Sequence, residues 1–175
     1  MKEEQLAFLV ALLVIGFLSL ATFTPYLEAP FTGGVIRDDA VSFSVSVTAA
    51  GTNYASQEPV MQLWARPDGS SSWKKITQWH VSESGYHSYA HSGRLSSGLY
   101  ELAIVYPNDA QGSGQDRNLF LESLIISDQD FSLVGVSYVF DKGVGRNALD
   151  GKTTSEISTG NLKVNGALRG IFVQI

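Results

Sequence analysis

The segment Tyr106–Glu122, YPNDAQGSGQDRNLFLE, holds the residues best suited to chemistry. Its oxygen-bearing side chains belong to Asn108, Asp109, Gln111, Gln115, Asp116 and Asn118. Gly112 and Gly114 allow tight bends between them. Calcium takes about six to eight oxygen ligands, from carboxylates, amides and backbone carbonyls. A bent loop of this composition is therefore able to surround a calcium ion.

The same composition is also typical of an ordinary turn, because Asp and Asn side chains bond their own backbone. Composition alone leaves both interpretations open and favours the turn. An EF-hand is excluded, because the twelfth position counted from Asp109 is Phe120 and not glutamate.

Other side chains in the sequence could also bind a ligand or a metal. The aromatic residues Trp64, Trp73, Trp79, Tyr54, Tyr86 and Tyr89 stack on sugar rings in some proteins and fill the core in others. Trp73, between serines and lysines, is expected to be the most exposed of them.

His87 and His91 would stand about 13 Å apart on one strand, too far to share a zinc ion. No G-x-S-x-G elbow, phosphate loop or dinucleotide fingerprint occurs. The chain is predicted not to be an enzyme.

The elements that must position the loop are short strands. Val41, Phe43, Val45 and Val47 alternate with hydroxyl residues, which indicates a strand with one apolar face. Further strands are predicted at Val60–Arg66, Lys75–Val81, Tyr86–Ser92, Leu99–Tyr106, Leu119–Ser127, Phe131–Phe140 and Leu162–Ile175. Asn165-Gly166 predicts a tight hairpin inside the last of these. The pattern favours an all-β fold, a jelly-roll β-sandwich.

A single hydrophobic α-helix is predicted before the sandwich. Leu6–Phe23 carries no charge, and as a helix it would be about 27 Å long, close to a bilayer core. Thr24-Pro25 ends it. The predicted organisation is therefore a helix over residues 1–25, a linker over 26–39 and the sandwich over 40–175. The helix is a cleaved signal, a permanent anchor or the assembly helix of a filament.

The composition of the chain excludes some kinds of partner and chemistry. The net charge of −5 argues against nucleic acid, which selects a basic surface. The absence of cysteine excludes thiolate catalysis and disulfides. Low charge with 17 glycines suits an extracellular or cell-surface β domain.

Several motifs together resemble the calcium-dependent carbohydrate-binding modules of families 36 and 60. Asn108-Asp109 followed by the run Gly114–Phe120 is similar to the calcium loop of those modules. The stretch Ser96–Tyr100 resembles the strand before it, and Leu149-Asp150-Gly151 resembles a downstream segment. The likeness covers roughly residues 40–172.

The resemblance implies roles for individual residues. Asp109 and Asp116 take the carboxylate ligand roles for calcium, and the backbone carbonyl of Gln115 takes the third. Arg117 and Asn118 would brace the loop. Two adjacent hydroxyls of a xylan-like or other β-glycan would complete the calcium shell. Asp141 and Asp150 hold a second calcium or sit in turns, and turns are favoured.

The N-terminal segment resembles type IV pilins, which join a short polar start and a hydrophobic helix to a β-rich head. This implies self-association through the helix and a membrane location before assembly. The predicted function is therefore a surface-displayed, calcium-dependent glycan-binding subunit of a pilus-like filament. The alternatives are an anchored or secreted glycan-binding module, and a structural subunit with structural calcium.

Overall fold

The computed structural model describes residues 40–82 and 85–175. The predicted helix over 1–25 and linker over 26–39 lie outside this part, so the division of the chain at these bounds stays a prediction. Within the described part, no helix is long and apolar enough to cross a membrane. One short 3-10 turn, Gly145–Leu149, interrupts the strands there.

The described residues form two antiparallel sheets. The strands, in chain order, are Ala40–Thr52 (β1), Val60–Pro67 (β2), Lys74–His80 (β3), His87–Ser96 (β4), Leu99–Tyr106 (β5), Ala110–Gly112 (β6), Gln115–Ile126 (β7), Gln129–Ser132 (β8), Tyr138–Lys142 (β9), Thr154–Ile157 (β10), Asn161–Leu162 (β11) and Gly166–Gln174 (β12). The first sheet has the order β11-β7-β1-β4, with β6 and β8 also paired to β7. The second has the order β10-β9-β12-β5-β2-β3. This confirms the all-β sandwich, while the jelly-roll assignment stays a prediction.

The main core lies between the sheets. Phe43, Val45 and Val47 of β1 point inward with the alternation that the sequence predicts. They meet Leu102 and Ile104 of β5, which are buried in the same cluster. Apolar burial of this kind stabilises the domain without disulfides.

Strand β5 is buried on both faces. Ala103 and Val105 point away from the main core, yet they too are buried. They pack with Ala148 and Leu149 of the 3-10 turn, so this turn covers part of the outer face of the second sheet. This second cluster holds the end of β5 in place, and the predicted calcium loop starts from that end.

Two predicted strands are wrong in detail. Phe131–Phe140 is not one strand, because β8 ends at Ser132 and Gly135 adopts a left-handed φ of 79° before β9. The Asn165-Gly166 hairpin is also absent. Leu162 pairs with Leu119 in the first sheet, whereas Ala167 pairs with Val105 in the second. The intervening residues cross between sheets instead of turning back.

Candidate functional site

The predicted calcium loop is mostly a β-hairpin. β6 pairs with the start of β7, with Gly112 opposite Gln115 and Gln111 opposite Asp116. Ser113 and Gly114 join them with φ values of 53° and 78°. Two left-handed residues in succession define a type I′ turn, the two-residue turn that fits strand twist best. The segment is thus more regular than its composition suggests.

Asp109 lies at the foot of this hairpin with an unusual environment. Its Oδ1 is buried and has no hydrogen-bond partner among the described residues. Its backbone N–H donates to Oδ1 of Asn165 at 2.7 Å. Burial raises the pKa of Asp109, and the charge of Asp116 raises it further, although Arg117 and the N–H of Ala110 oppose this. Because Ala110 pairs with Arg117, Asp109 and Asp116 each lie next to this paired position, and their charges interact.

Arg117 is the brace of the hairpin. Its side chain is only 4% exposed. The guanidinium donates to the carbonyl oxygens of Asn108 at 2.6 Å, Tyr54 at 2.9 Å and Gln57 at 3.1 Å. These bonds tie the hairpin to the segment after β1, so Arg117 has the bracing role that the resemblance implies.

Asn108 and Tyr106 fix the other end of the site. Oδ1 of Asn108 accepts from the N–H of Val60 at 2.7 Å, and its Nδ2 donates to the carbonyl of Glu58. The buried Tyr106 hydroxyl donates to the carbonyl of Arg117. Burial raises the pKa of Tyr106 above its ordinary range, so the hydroxyl stays a donor.

Sequence reasoning missed two supporting residues. Thr52 Oγ1 donates to the carbonyl of Asp116 at 2.7 Å and accepts from the N–H of Asn118 at 2.9 Å. Asn165, expected in a hairpin turn, instead holds Asp109 in position. Both residues are more than 50 positions away from the carboxylates they support, and no local pattern marks them.

Two further amide oxygens near the hairpin lack partners. Oδ1 of Asn118 and Oδ1 of Asn53 are buried without a donor among the described residues. Asn118 pairs with Thr52 across β7 and β1, and Asn53 is the next residue in the chain. An unpartnered buried oxygen costs about 1–3 kcal/mol, so a group of them favours a bound cation or water.

Gln115 is placed less decisively. It stands opposite Gly112 at the closing pair of the hairpin, and the residue is exposed. No contact with the described residues distinguishes its carbonyl as a metal ligand, so that role stays a prediction.

The residues present fit calcium better than a transition metal. The described part of the chain holds no group of three or more His, Cys, Asp and Glu residues suited to a metal. Two carboxylates with neutral amide and backbone oxygens are the hard donors that calcium prefers. A cation would also give the unpartnered Oδ1 of Asp109 a partner and relieve its repulsion with Asp116.

Asp141 and Asp150 lie elsewhere. Oδ2 of the buried Asp141 pairs with Arg169 at 3.0 Å and accepts from the N–H of Gly151 at 2.7 Å. Asp150 accepts from the N–H of Lys152 two residues on, as a turn aspartate does. Asp150 thus sits in a turn. Oδ1 of Asp141 is buried without a partner among the described residues, so the choice between a turn and a second calcium stays open for Asp141.

The predicted aromatic candidates separate into different environments. Trp79 and Tyr89 pack against the main core. Tyr86 is 53% exposed. Trp64 and Trp73 pack on the outer face of the second sheet, and Trp73 is half-buried, less exposed than expected.

The two-sheet sandwich thus carries an acidic hairpin whose carboxylate and amide oxygens suit a metal ion. A family model described as a calcium-dependent, xylan-binding carbohydrate-binding module matches residues 44–140. This match spans more than half of the chain, and the chain therefore belongs to carbohydrate-binding module family 60. The predicted resemblance, the calcium dependence and the non-catalytic class are confirmed.

Two solved structures are similar to the chain. One is the selenomethionine form of vCBM60, from work on circular permutation between two families of calcium-dependent carbohydrate-binding modules. It is 17% identical, with 73% of this chain and 88% of that chain covered and a TM-score of 0.49. The other is vCBM60 in complex with galactobiose, 18% identical, with coverages of 74% and 99% and a TM-score of 0.49. No curated protein matches the chain.

Proposed function

We propose that the domain binds a xylan-like or other β-glycan through a calcium ion held at the β6–β7 hairpin. Asp109 and Asp116 supply the carboxylate ligands, and the carbonyl of Gln115 supplies a third oxygen. The observation that carries the proposal is the buried, unpartnered Oδ1 of Asp109 beside a second carboxylate.

The protein's own residues prepare this site before any ligand arrives. Arg117 and Asn108 fix the hairpin to neighbouring segments through bonds of 2.6–3.1 Å. A calcium ion bound here would have coordination positions that the protein leaves unfilled, and two adjacent sugar hydroxyls would occupy them. A fixed frame lowers the conformational entropy lost on binding, which favours affinity.

The test is calorimetric titration of calcium, and then of xylohexaose, into the full-length protein. Asp116→Ala is expected to abolish calcium binding, because one of two carboxylates is lost. The calcium-dependent part of xylohexaose binding should disappear with it. Asp130→Ala, which removes an exposed carboxylate on β8, is the matched control and should bind normally.

Two results would contradict the proposal. Unchanged calcium affinity in Asp116→Ala would show that the metal site is wrong. Calcium binding without any calcium-dependent glycan binding, across xylohexaose and other β-glycan oligosaccharides, would leave only a structural metal.

The predictions of a membrane stage and of filament assembly concern residues 1–25, which lie outside the described part. A cell-surface or extracellular location suits a glycan-binding module. Filament assembly through the N-terminal segment, with a membrane stage before it, has no support from the comparisons and stays a prediction. Electron microscopy of the full-length protein tests it, since fibres are expected for assembly and detergent-bound monomers for an anchor.

A further inference from the structure

The outer face of the second sheet carries a cleft of about 390 Å³. Its walls include Trp64 of β2, Trp73 just before β3, and Leu149 of the 3-10 turn. Arg146 and Asp150 lie at the two ends of that turn and also line the cleft. None of these residues belongs to the Asp109–Asp116 hairpin. The volume is within the range of small-ligand sites.

The indole rings of the cleft are held in place. Trp64 packs with the cluster of Ala103 and Val105, and its Nε1 donates to Oε1 of Gln62 at 3.0 Å. The Trp73 ring lies 4.8 Å from the guanidinium of Arg66 and 5.4 Å from that of Arg169. Such cation–π contacts fix the ring.

The two arginines that contact the Trp73 ring are themselves anchored. Arg66 and Arg169 both pair with Glu101, which is 5% exposed. Arg169 also pairs with the fully buried Asp141. The aromatic wall is therefore rigid before a ligand binds, which reduces the entropy cost of binding.

The polar groups of the cleft have unused hydrogen-bonding capacity. Arg146 is exposed and has no hydrogen bond or ion pair with the described residues. Asp150 is partly exposed, and each of its oxygens has one contact, with Lys152. A carboxylate oxygen has two lone pairs, so Asp150 remains an acceptor while Arg146 is a free donor.

We infer that this cleft is a second carbohydrate subsite that binds a neutral pyranose unit without calcium. A pyranose has an apolar C–H face that packs on indole, and hydroxyls that need both donors and acceptors. Trp64 and Trp73 offer the first, and Arg146 with Asp150 offer the second. The carboxylate of Asp150 and the net charge of −5 disfavour an acidic sugar. The choice of a glycan as ligand rests on the proposed function.

The subsite is expected to act independently of the calcium hairpin. Asn108 bonds to Val60 at the start of β2, and Trp64 lies about 13 Å further along that strand. Sites more than about 10 Å apart without shared partners usually behave additively. A substitution in one site should therefore leave binding at the other intact.

The test is an NMR titration of the full-length protein with xylohexaose in EGTA, observed at the indole N–H signals of its three tryptophans. Trp64 and Trp73 are expected to shift. Trp79, which packs against the main core and donates to the carbonyl of Ala90, is the internal reference and should not move. Arg146→Ala and Trp64→Ala should each lower this affinity about tenfold. Lys163→Ala, which removes one positive charge from an exposed position as Arg146→Ala does, should leave this affinity unchanged.

The outcomes separate the two proposals. No indole shift in EGTA would overturn the second subsite, and so would an affinity that Arg146→Ala and Trp64→Ala leave unchanged. If Trp64→Ala fails to fold, Arg146→Ala decides, because its exposed side chain makes no hydrogen bond or ion pair with the described residues. Asp116→Ala should keep the shifts in EGTA. Loss of the calcium-dependent component alone would contradict only the proposed function.

Discussion

At the residue scale, Asp109 joins the electrostatics of the fold to metal binding. The metal-free domain buries one of its carboxylate oxygens without a partner, next to the charge of Asp116. Burying an unpaired carboxylate destabilises the folded state, and such groups are found mostly at functional sites. The same environment that disfavours the charged carboxylate should make it favour a cation.

This cost predicts a pH dependence of the metal-free protein. The pKa of Asp109 is raised above its ordinary value near 3.8, so the folded state holds the proton more tightly than the unfolded state. Its contribution to stability is present below that value and is lost as pH rises through the raised pKa. Asp109→Asn should therefore make the metal-free domain more stable than wild type at neutral pH, while weakening calcium binding.

Urea unfolding in EGTA, at pH values from about 3 to 7, measures this difference. The gain from Asp109→Asn should shrink toward the acid end, where the wild-type carboxyl is protonated. A variant less stable than wild type at neutral pH would contradict the assignment of Asp109 as a strained carboxylate.

At the element scale, the β6–β7 hairpin sets the distance between the two carboxylates. Its turn needs left-handed backbone at both Ser113 and Gly114. A Cβ at Gly114 would meet no atom within 4 Å, so glycine is required there for its backbone and not for space. Gly112 differs, because a Cβ there would clash with the Tyr54 hydroxyl.

Two substitutions at the turn should have opposite effects. Ser113→Asn creates the Asn-Gly pair that type I′ turns prefer, and should stabilise the domain by about 0.5 kcal/mol. Gly114→Ala should destabilise it by about 1 kcal/mol, because alanine resists a positive φ. Thermal unfolding in EGTA measures both, and calcium affinity should change in the same direction. Equal stabilities of the two variants would argue against the I′ turn.

At the scale of the whole molecule, calcium should act as a cross-link between distant segments. The site is built from the end of β5, the β6–β7 hairpin and the start of β12, and residues after β1 brace it. A ligand that binds only this assembled arrangement stabilises the folded state by mass action.

Calcium is therefore expected to raise the melting temperature of the full-length protein. At a concentration about a hundredfold above its Kd the stabilisation is about 2.7 kcal/mol, which corresponds to a rise of about 5–10 °C. Differential scanning calorimetry with calcium and with EGTA measures it. Asp116→Ala should show no difference between the two conditions, and a wild type that melts at one temperature in both would count against the site.

The sequence by itself determined the alternation that makes β1 a half-buried strand, the all-β class and the position of the acidic segment. These are local properties, because inward and outward residues alternate wherever a strand covers a core. The resemblance carried by Asn108-Asp109 and Gly114–Phe120 supplied the family and the two carboxylates.

Only the tertiary structure decided which distant residues complete the site. The pairing of Thr52 with Asn118, and the crossing that brings Asn165 to Asp109, depend on long-range register, which no local pattern encodes. The predicted hairpin at Asn165-Gly166 was wrong because its flanking strands join different sheets. The cleft at Trp64 and Trp73 likewise exists only because the 3-10 turn folds over the outer face of the second sheet.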